Sequence, residues 1–146
     1  MILWRVSRHR DLSGAGGLRA PGRWHYAGQP VIYLAESPAG ALLEVCVHTN
    51  ANDVPPAFTL LRAEGPDLRT PSIRQQDLPA AWREQQNVTR EIGTAWLAKG
   101  ESVLLRVPSA LVPETANLLF NPRHSDAAKF KITQALKYPF DARLKK

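Results

Sequence analysis

One carboxylate inside an apolar segment is the feature of this sequence that most directly suggests chemistry. Glu44 interrupts an otherwise apolar run from Ala41 to Val47. Burying a carboxylate costs several kcal/mol unless it is paired or hydrogen-bonded, so Glu44 either faces solvent or is held by partners in a cleft. His48 follows one helical turn later, which allows both titratable groups to face the same cleft. The pair could serve acid–base chemistry, whereas a metal site would need further ligands.

An arginine and a tyrosine have the chemistry to bind a planar, anionic ligand. Arg23 lies between Gly22 and Trp24, and an arginine beside permissive backbone suits bidentate binding of a phosphate or carboxylate. An exposed arginine that covers Trp24 fits the same pattern. Tyr33 lies inside an apolar strand, where its ring could stack on a heterocycle or pack in the core.

Two polar residues follow predicted strands, where functional side chains are common. Ser109 lacks the Gly-x-Ser-x-Gly surroundings of a hydrolase nucleophile, so a turn or cap serine is the alternative. Asn121 precedes a proline, which is typical of a turn. No Walker-type loop is present, and the glycine-rich segment from Ser13 to Gly17 lacks the Rossmann spacing.

Short strands and helices must position these residues. The pattern predicts strands at residues 2–6, 31–35, 57–64, 102–107, 116–120 and 130–132, a loop at residues 13–17, and helices at residues 38–48, at 80–86 and from 87 or 89 to 99. Ser37 is expected to cap the first helix. Alternation puts Ile32 and Leu34 on one face of the second strand and Tyr33 on the other. Without a regular βαβ rhythm, the fold class is predicted to be α+β, with mixed short strands and flanking helices.

The net charge of +6 lies at the two ends of the chain. Residues 1–29 carry a net +4, residues 30–100 a net −2, and residues 101–146 a net +4. A basic excess allows a nucleic-acid partner. A solvated basic surface is the preferred interpretation, because no dense arginine run or nucleic-acid-binding motif is present.

Cysteine content and hydropathy bear on location. Cys46 is the only cysteine, which excludes a disulfide framework within one chain and favours a reducing compartment. No apolar run approaches the roughly 18 residues of a membrane span. The N-terminal charges follow the first apolar stretch, the reverse of a secretory signal. A cytoplasmic protein is therefore expected.

Five short motifs, taken in order, resemble the RES domain, which is named for an arginine, a glutamate and a serine. They are Gly22-Arg23-Trp24, Val31 to Pro38, Ala41 to Glu44, Leu105 to Ala110 and Asn117 to His124. The resemblance spans about residues 2–132, so residues 1–146 are expected to form a single domain with a basic tail at about 133–146. One departure is Ser125, where the family commonly has proline; we expect a surface change.

RES proteins are toxins of bacterial Xre–RES toxin–antitoxin systems. The resemblance implies a compact fold similar to ADP-ribosyltransferases of the diphtheria-toxin type. It implies cleavage of the nicotinamide–ribose bond of NAD, as a glycohydrolase or phosphorylase, with no metal. The alternative is mono-ADP-ribosylation of a host protein, and a basic nucleic-acid-binding module is the less favoured alternative.

The resemblance also assigns roles by position. Arg23, Tyr33 and Glu44 match the arginine, tyrosine and glutamate of the family. Arg23 would bind a phosphate or ribose oxygen, and Tyr33 would stack on nicotinamide. Glu44 would hold a ribose hydroxyl and stabilise an oxocarbenium-like transition state.

Further positions are assigned to the same NAD site. Ser109 matches the serine of the family and would position the nicotinamide ribose or carboxamide, with Ser37 as the competitor. His48 and Asn121 lie beside the same motifs and are included. The loop at residues 14–17 is expected to close over the dinucleotide.

A toxin must be restrained in its host, so the resemblance implies an Xre-type antitoxin that blocks the active site. Such a partner would present a carboxylate to Arg23. DNA contact is assigned to the antitoxin and not to this chain, and no membrane contact is expected. The chain could also form a homodimer within a larger toxin–antitoxin complex.

Overall fold

Six strands form one antiparallel sheet in the computed structural model, which describes residues 1–145. The strands are β1 (Ile2–Val6), β2 (Ile32–Ala35), β3 (Ala57–Glu64), β4 (Leu104–Pro108), β5 (Ala116–Phe120) and β6 (Lys131–Pro139). Their order across the sheet is β4-β5-β2-β1-β3-β6, and each pairing is antiparallel. Tyr33, on β2, therefore lies near the middle of the sheet.

Within residues 1–145, three α-helices accompany the sheet: α1 (Ala15–Arg19), α2 (Pro38–His48) and α3 (Gln86–Lys99). α2 begins where the sequence predicts, because Ser37 Oγ accepts a hydrogen bond from the Gly40 N–H at 3.0 Å. α3 ends at Lys99 and is capped by Gly100, whose φ of 62° lies in the left-handed region that favours glycine. This mixture of strands and helices confirms the predicted α+β class.

Alternation along β2 decides where a site can form. Ile32 and Leu34 belong to the core cluster on one face of the sheet. Tyr33 packs against the cluster on the other face, to which α3 contributes Trp96. α2 covers that same face further along, where Ala41 joins a third cluster. Both long helices therefore cover the face that carries Tyr33, as the predicted alternation requires.

The prediction of a loop at residues 13–17 is wrong, because α1 includes Ala15, Gly16 and Gly17. Gly14 has a φ of 69°, which starts this short helix in the left-handed region. A Cβ on Gly17 would lie 2.6 Å from the Gln29 carbonyl oxygen. Glycine is therefore needed here because neighbouring backbone comes close. From the sequence alone, glycines needed for such packing look the same as glycines of a ligand-binding loop.

The C-terminal prediction also differs from the structure. The sequence predicts a last strand at residues 130–132 and a tail from about residue 133. In the structure β6 continues to Pro139. It pairs with β3 from Glu64–Lys131 to Ala57–Pro139. Most β6 side chains are exposed. An edge strand with few buried side chains gives a weak periodic signal, so its length was underestimated.

Other element boundaries shift by smaller amounts. Residues 80–84 form turns in place of the predicted helix at 80–86. α3 begins at Gln86, with Gln85 at its N-cap, instead of being capped by Asn87 or Thr89. The strand predicted from residue 102 begins at Leu104. None of these shifts moves a predicted site residue to another face.

Candidate active site

A cavity of about 530 Å³ lies on the helix-covered face of the sheet. Its lining comes from β1, β2, α2, α3, β4, β5 and the segment at residues 21–24. Arg23, Tyr33, Glu44 and His48 all line it. The fold thus brings together four predicted site residues that lie on three separate segments of the chain.

Glu44 lines this cavity from α2 and is held by two neutral donors. The Ser109 hydroxyl and the Asn117 side-chain amide each donate to Glu44 Oε1 at 2.9 Å. Within residues 1–145, no donor reaches the second oxygen, Oε2. One carboxylate oxygen is therefore fixed by the protein, while the other is left for a ligand.

Ser109 acts on Glu44 from the end of β4. It is buried, its hydroxyl proton goes to the carboxylate, and its Oγ accepts the Leu111 N–H at 3.1 Å. With these contacts the hydroxyl orients Glu44 and is not placed as a nucleophile. This agrees with the lack of a nucleophile elbow in the sequence.

The Tyr33 hydroxyl, in the part of the lining formed by β2, is already bonded to protein groups. It accepts the Trp24 N–H at 3.1 Å and lies 2.7 Å from Nδ1 of His25. Burial raises the pKa of Tyr33 to about 12, so the phenol is neutral at neutral pH. Its ring therefore borders the cavity while its hydroxyl is already bonded to protein groups.

The segment at residues 22–25 is fixed to α3. Thr89 Oγ1 donates to the Arg23 carbonyl oxygen at 2.6 Å. Gly93 lies so close that an added Cβ would fall 1.7 Å from the Trp24 carbonyl oxygen. A side chain at this position would push the segment off the helix, so α3 determines where Arg23 enters the cavity wall.

Three arginines line the cavity, Arg5 on β1, Arg23 and Arg90, and the last two donate hydrogen bonds to protein acceptors. Arg23 Nη1 donates to the Arg83 carbonyl oxygen at 2.9 Å. Arg90 donates through Nε to the Gly22 carbonyl oxygen at 2.7 Å and through Nη2 to Gln86 Oε1 at 2.8 Å. Neither Arg23 nor Arg90 forms an ion pair with a carboxylate in the described chain. Two such groups suit an anionic ligand with several oxygens.

Three residues of this arrangement were not predicted from the sequence: His25, Arg90 and Asn117. Asn117 carried a signal, because it is the only polar side chain in the strand Ala116–Phe120. His25 directly follows the Gly-Arg-Trp motif but has no spacing that suggests a role. Arg90 depends on how α3 packs against residues 22–25, which no local pattern encodes.

Asn121, Ser37 and the segment at residues 14–17 lie away from the cavity, whereas His48 borders it. Asn121 is buried, its Oδ1 accepts the Arg123 N–H at 3.1 Å, and it borders a separate cavity of about 370 Å³. Ser37 caps α2, so the contact with Glu44 comes from Ser109. The segment at residues 14–17 does not border the main cavity. His48 does border it, with an exposed side chain.

Residues 1–145 contain neither a metal-binding cluster nor a membrane-spanning helix. No group of three or more histidine, cysteine, aspartate or glutamate side chains is placed to hold a metal ion. No helix in that range combines the length and the apolar character needed to cross a membrane.

Comparison with known proteins gives one consistent family. The RES domain matches residues 2–141. A Pseudomonas putida protein named Toxin Res is 49% identical over 149 residues, which cover 99% of this chain and 99% of that protein. A Sphingobium protein named Prs ADP-ribosylating toxin is 37% identical, over 97% of this chain and 94% of its own length.

The solved structures add a match of fold. A chain in the crystal structure of the M. tuberculosis MbcT–MbcA toxin–antitoxin complex superimposes with a TM-score of 0.70 at 21% identity, covering 94% of this chain and 84% of that one. The fold, the order of the motifs and the two relatives agree: this chain belongs to the RES domain family.

Proposed function

We propose that this chain is a bacterial toxin that cleaves the bond between nicotinamide and ribose in NAD. The observation that carries the proposal is Glu44, whose Oε1 is fixed by Ser109 and Asn117 while Oε2 remains available in the cavity. The name of the Sphingobium relative supports the same substrate, since ADP-ribosylation consumes NAD.

The charges and rings of the cavity match those of NAD. The dinucleotide has two negative phosphates and a cationic nicotinamide ring. Arg23 and Arg90 offer N–H groups to the phosphates, and the Tyr33 ring offers a π face to the cation. The cavity of about 530 Å³ falls within the range of about 300–1,000 Å³ that is usual for small-molecule sites.

Glu44 would act when the glycosidic bond breaks. The bonding electron pair leaves with the nicotinamide nitrogen, which becomes neutral, and positive charge develops on the ribose C1 and ring oxygen. Oε2 accepts a ribose hydroxyl, and the carboxylate charge stabilises the cation. The oxygen of a water molecule then bonds to C1 and releases a proton, which gives ADP-ribose. Attack by inorganic phosphate would give ADP-ribose 1-phosphate through the same cation.

Transfer of ADP-ribose to a protein side chain is the second candidate function. It is favoured by one specific observation, the name of the 37% identical Sphingobium relative. Both reactions use the same cation and the same Glu44, and they differ only in the nucleophile that reaches C1.

We also propose that an Xre-type antitoxin covers this cavity in the cytoplasm. The structural neighbour is a toxin–antitoxin complex. A partner carboxylate would accept hydrogen bonds from the Arg23 N–H groups that have no acceptor within residues 1–145. Replacing Arg23 by alanine should weaken both toxicity and complex formation. If neither changed, this view of the partner would be overturned.

Purified protein incubated with NAD labelled in its ADP-ribose part tests the function. Free labelled ADP-ribose indicates hydrolysis, and labelled ADP-ribose 1-phosphate indicates phosphorolysis. Label attached to added host proteins indicates transfer. Unchanged NAD in the presence of phosphate and a host-protein extract would contradict the proposal.

A further inference from the structure

His25 lies directly behind Tyr33 and is among the least exposed polar residues of the protein, with 3% of its surface accessible. Its Nδ1 is 2.7 Å from Tyr33 Oη and 3.2 Å from the Gly22 backbone nitrogen. Its Nε2 is 3.1 Å from the Ala20 carbonyl oxygen. Both ring nitrogens are therefore committed to protein partners.

These partners fix the tautomer of His25. The Ala20 carbonyl can only accept, so Nε2 must carry a proton. The Gly22 N–H is shared between the His25 carbonyl oxygen at 3.1 Å and Nδ1 at 3.2 Å, and a neutral ring with its proton on Nε2 presents Nδ1 as an acceptor. Tyr33 then donates its hydroxyl proton to Nδ1 and accepts the Trp24 N–H on its oxygen. A single arrangement satisfies every group in the chain of hydrogen bonds.

The surroundings disfavour any other arrangement. A Cβ on Gly22 would lie 2.4 Å from Tyr33 Oη, so the backbone is in close contact with the hydroxyl. The charged groups near His25 and Tyr33 are Arg90 on α3 and Arg23 of the Gly-Arg-Trp motif, both cationic. In the described part of the chain, no carboxylate pairs with His25. Burial lowers the pKa of His25, which keeps the ring neutral.

We propose that His25 is a positioning residue: as a neutral Nε2–H imidazole it holds the Tyr33 hydroxyl, and so fixes the Tyr33 ring in the cavity wall against the bound nicotinamide. This inference rests on the proposed function. His25 itself contacts no substrate and acts only through Tyr33.

Two matched variants separate positioning from simple packing. His25→Asn places an amide oxygen near the former Nδ1, so the Tyr33 hydroxyl keeps an acceptor while the Ala20 contact is lost. His25→Gln reaches the former Nε2 position, so the Ala20 contact is kept while Tyr33 loses its acceptor. We expect kcat/KM for NAD to fall by about 10- to 100-fold in His25→Gln, the range for a misplaced binding group. His25→Asn should recover most of this loss, and the exposed control His9→Gln should show none.

A double-mutant cycle tests whether the effect passes through Tyr33. Tyr33→Phe removes the hydroxyl that His25 holds, so adding His25→Gln to Tyr33→Phe should change kcat/KM by less than about twofold. The proposal is overturned if His25→Gln has the same effect in both backgrounds. It is equally overturned if His25→Asn and His25→Gln lose the same activity.

Nitrogen NMR of the full chain with labelled histidine gives a readout that does not depend on NAD cleavage. The nitrogen chemical shifts of His25 should show the Nε2–H tautomer. Tyr33→Phe should change the chemical shift of Nδ1, because this nitrogen then loses the hydrogen bond from the Tyr33 hydroxyl. An Nδ1–H tautomer, or an unchanged Nδ1 shift, overturns the positioning role. If the wild-type protein shows these chemical shifts but does not cleave NAD, the proposed function is rejected and the hydrogen bond between His25 and Tyr33 stands.

Discussion

The two walls of the cavity hold their key oxygen atoms in opposite ways. On the wall formed by α2, β4 and β5, Glu44 uses one oxygen for two donors and keeps the other free. On the wall formed by β2 and residues 22–25, the single Tyr33 oxygen is used completely, by His25 and by the Trp24 N–H. The first wall therefore offers charge to a ligand, and the second offers a fixed ring face.

The two walls should therefore respond differently to substitution. A change on the Glu44 wall should act on the stabilisation of the transition state and lower kcat. A change on the Tyr33 wall or at the arginines should act on how the dinucleotide is held.

Replacing Glu44 by glutamine should have the largest effect. The amide keeps the size of the side chain but removes its negative charge, so kcat for NAD cleavage should fall by about 100- to 1,000-fold, the range for losing one electrostatic contact in a transition state. The rate of nicotinamide release measures this effect. Glu101→Gln, a change at an exposed glutamate, is the control and should retain the wild-type rate. A Glu44→Gln enzyme with the wild-type rate would remove Glu44 from the mechanism.

Loss of one donor to Glu44 should have a smaller effect. Ser109→Ala and Asn117→Ala each leave one hydrogen bond on Oε1, so kcat should fall by about tenfold in each, equivalent to about 1.4 kcal/mol of transition-state stabilisation. Ser109→Ala should also lower the free energy of unfolding by about 1–2 kcal/mol, because the Leu111 N–H loses its acceptor.

Steady-state kinetics and urea unfolding measure the two effects of these substitutions. The exposed Asn50 provides the control, and Asn50→Ala should leave kcat unchanged. If Ser109→Ala lost stability but kept its full kcat, the role assigned to Ser109 in orienting Glu44 would be wrong.

Replacing Arg90 by glutamine should act mainly on binding. The substitution removes one cation from the cavity, so we expect KM for NAD to rise by about tenfold with a smaller change in kcat. Raising the salt concentration should increase the wild-type KM in the same direction, because screening weakens phosphate binding. Arg10→Gln, at an exposed arginine, is the matched control. A fall in kcat alone would show that Arg90 stabilises the transition state and does not mainly bind NAD.

The smallest effect concerns pH and the Tyr33 wall. Burial lowers the pKa of His25 below its ordinary value of about 6.5. As the pH falls through 6.5, the unfolded chain binds this proton before the folded chain does, so the free energy of unfolding decreases towards lower pH until the folded-state pKa is passed.

Urea unfolding at pH 7 and pH 5 measures this contribution. His25→Asn should lose less stability between the two pH values than the wild type does. The other histidines contribute equally to both proteins and cancel in the difference. Equal losses in the two proteins would mean that His25 is not held neutral.

Much of the site could be predicted because its residues fall in local patterns. Ser37 and Pro38 mark the start of α2, which sets the face on which Glu44 lies. Alternation along β2 separates Tyr33 from the core residues Ile32 and Leu34. Such patterns depend only on the periodicity of helices and strands, so they can be recognised without tertiary contacts.

The remainder depends on contacts between distant segments. The bond between Glu44 and Asn117 joins residues that are 73 positions apart, and Arg90 reaches Gly22 across 68 positions. The glycines at residues 14–17 illustrate the converse. Their glycine-rich composition is typical of a ligand loop, but Gly14 and Gly17 lie where neighbouring backbone leaves no room for a Cβ. Only the packed structure distinguishes these possibilities.

A crystal structure of the wild-type chain with a carba analogue of NAD, whose nicotinamide–ribose bond cannot be hydrolysed, would show whether NAD binds with its nicotinamide ribose at Glu44. We expect a ribose hydroxyl at about 2.5–3.0 Å from Glu44 Oε2 and the nicotinamide ring with its centroid about 4.5–7 Å from that of Tyr33. The analogue bound outside this cavity, or with its nicotinamide ribose away from Glu44, would contradict the account.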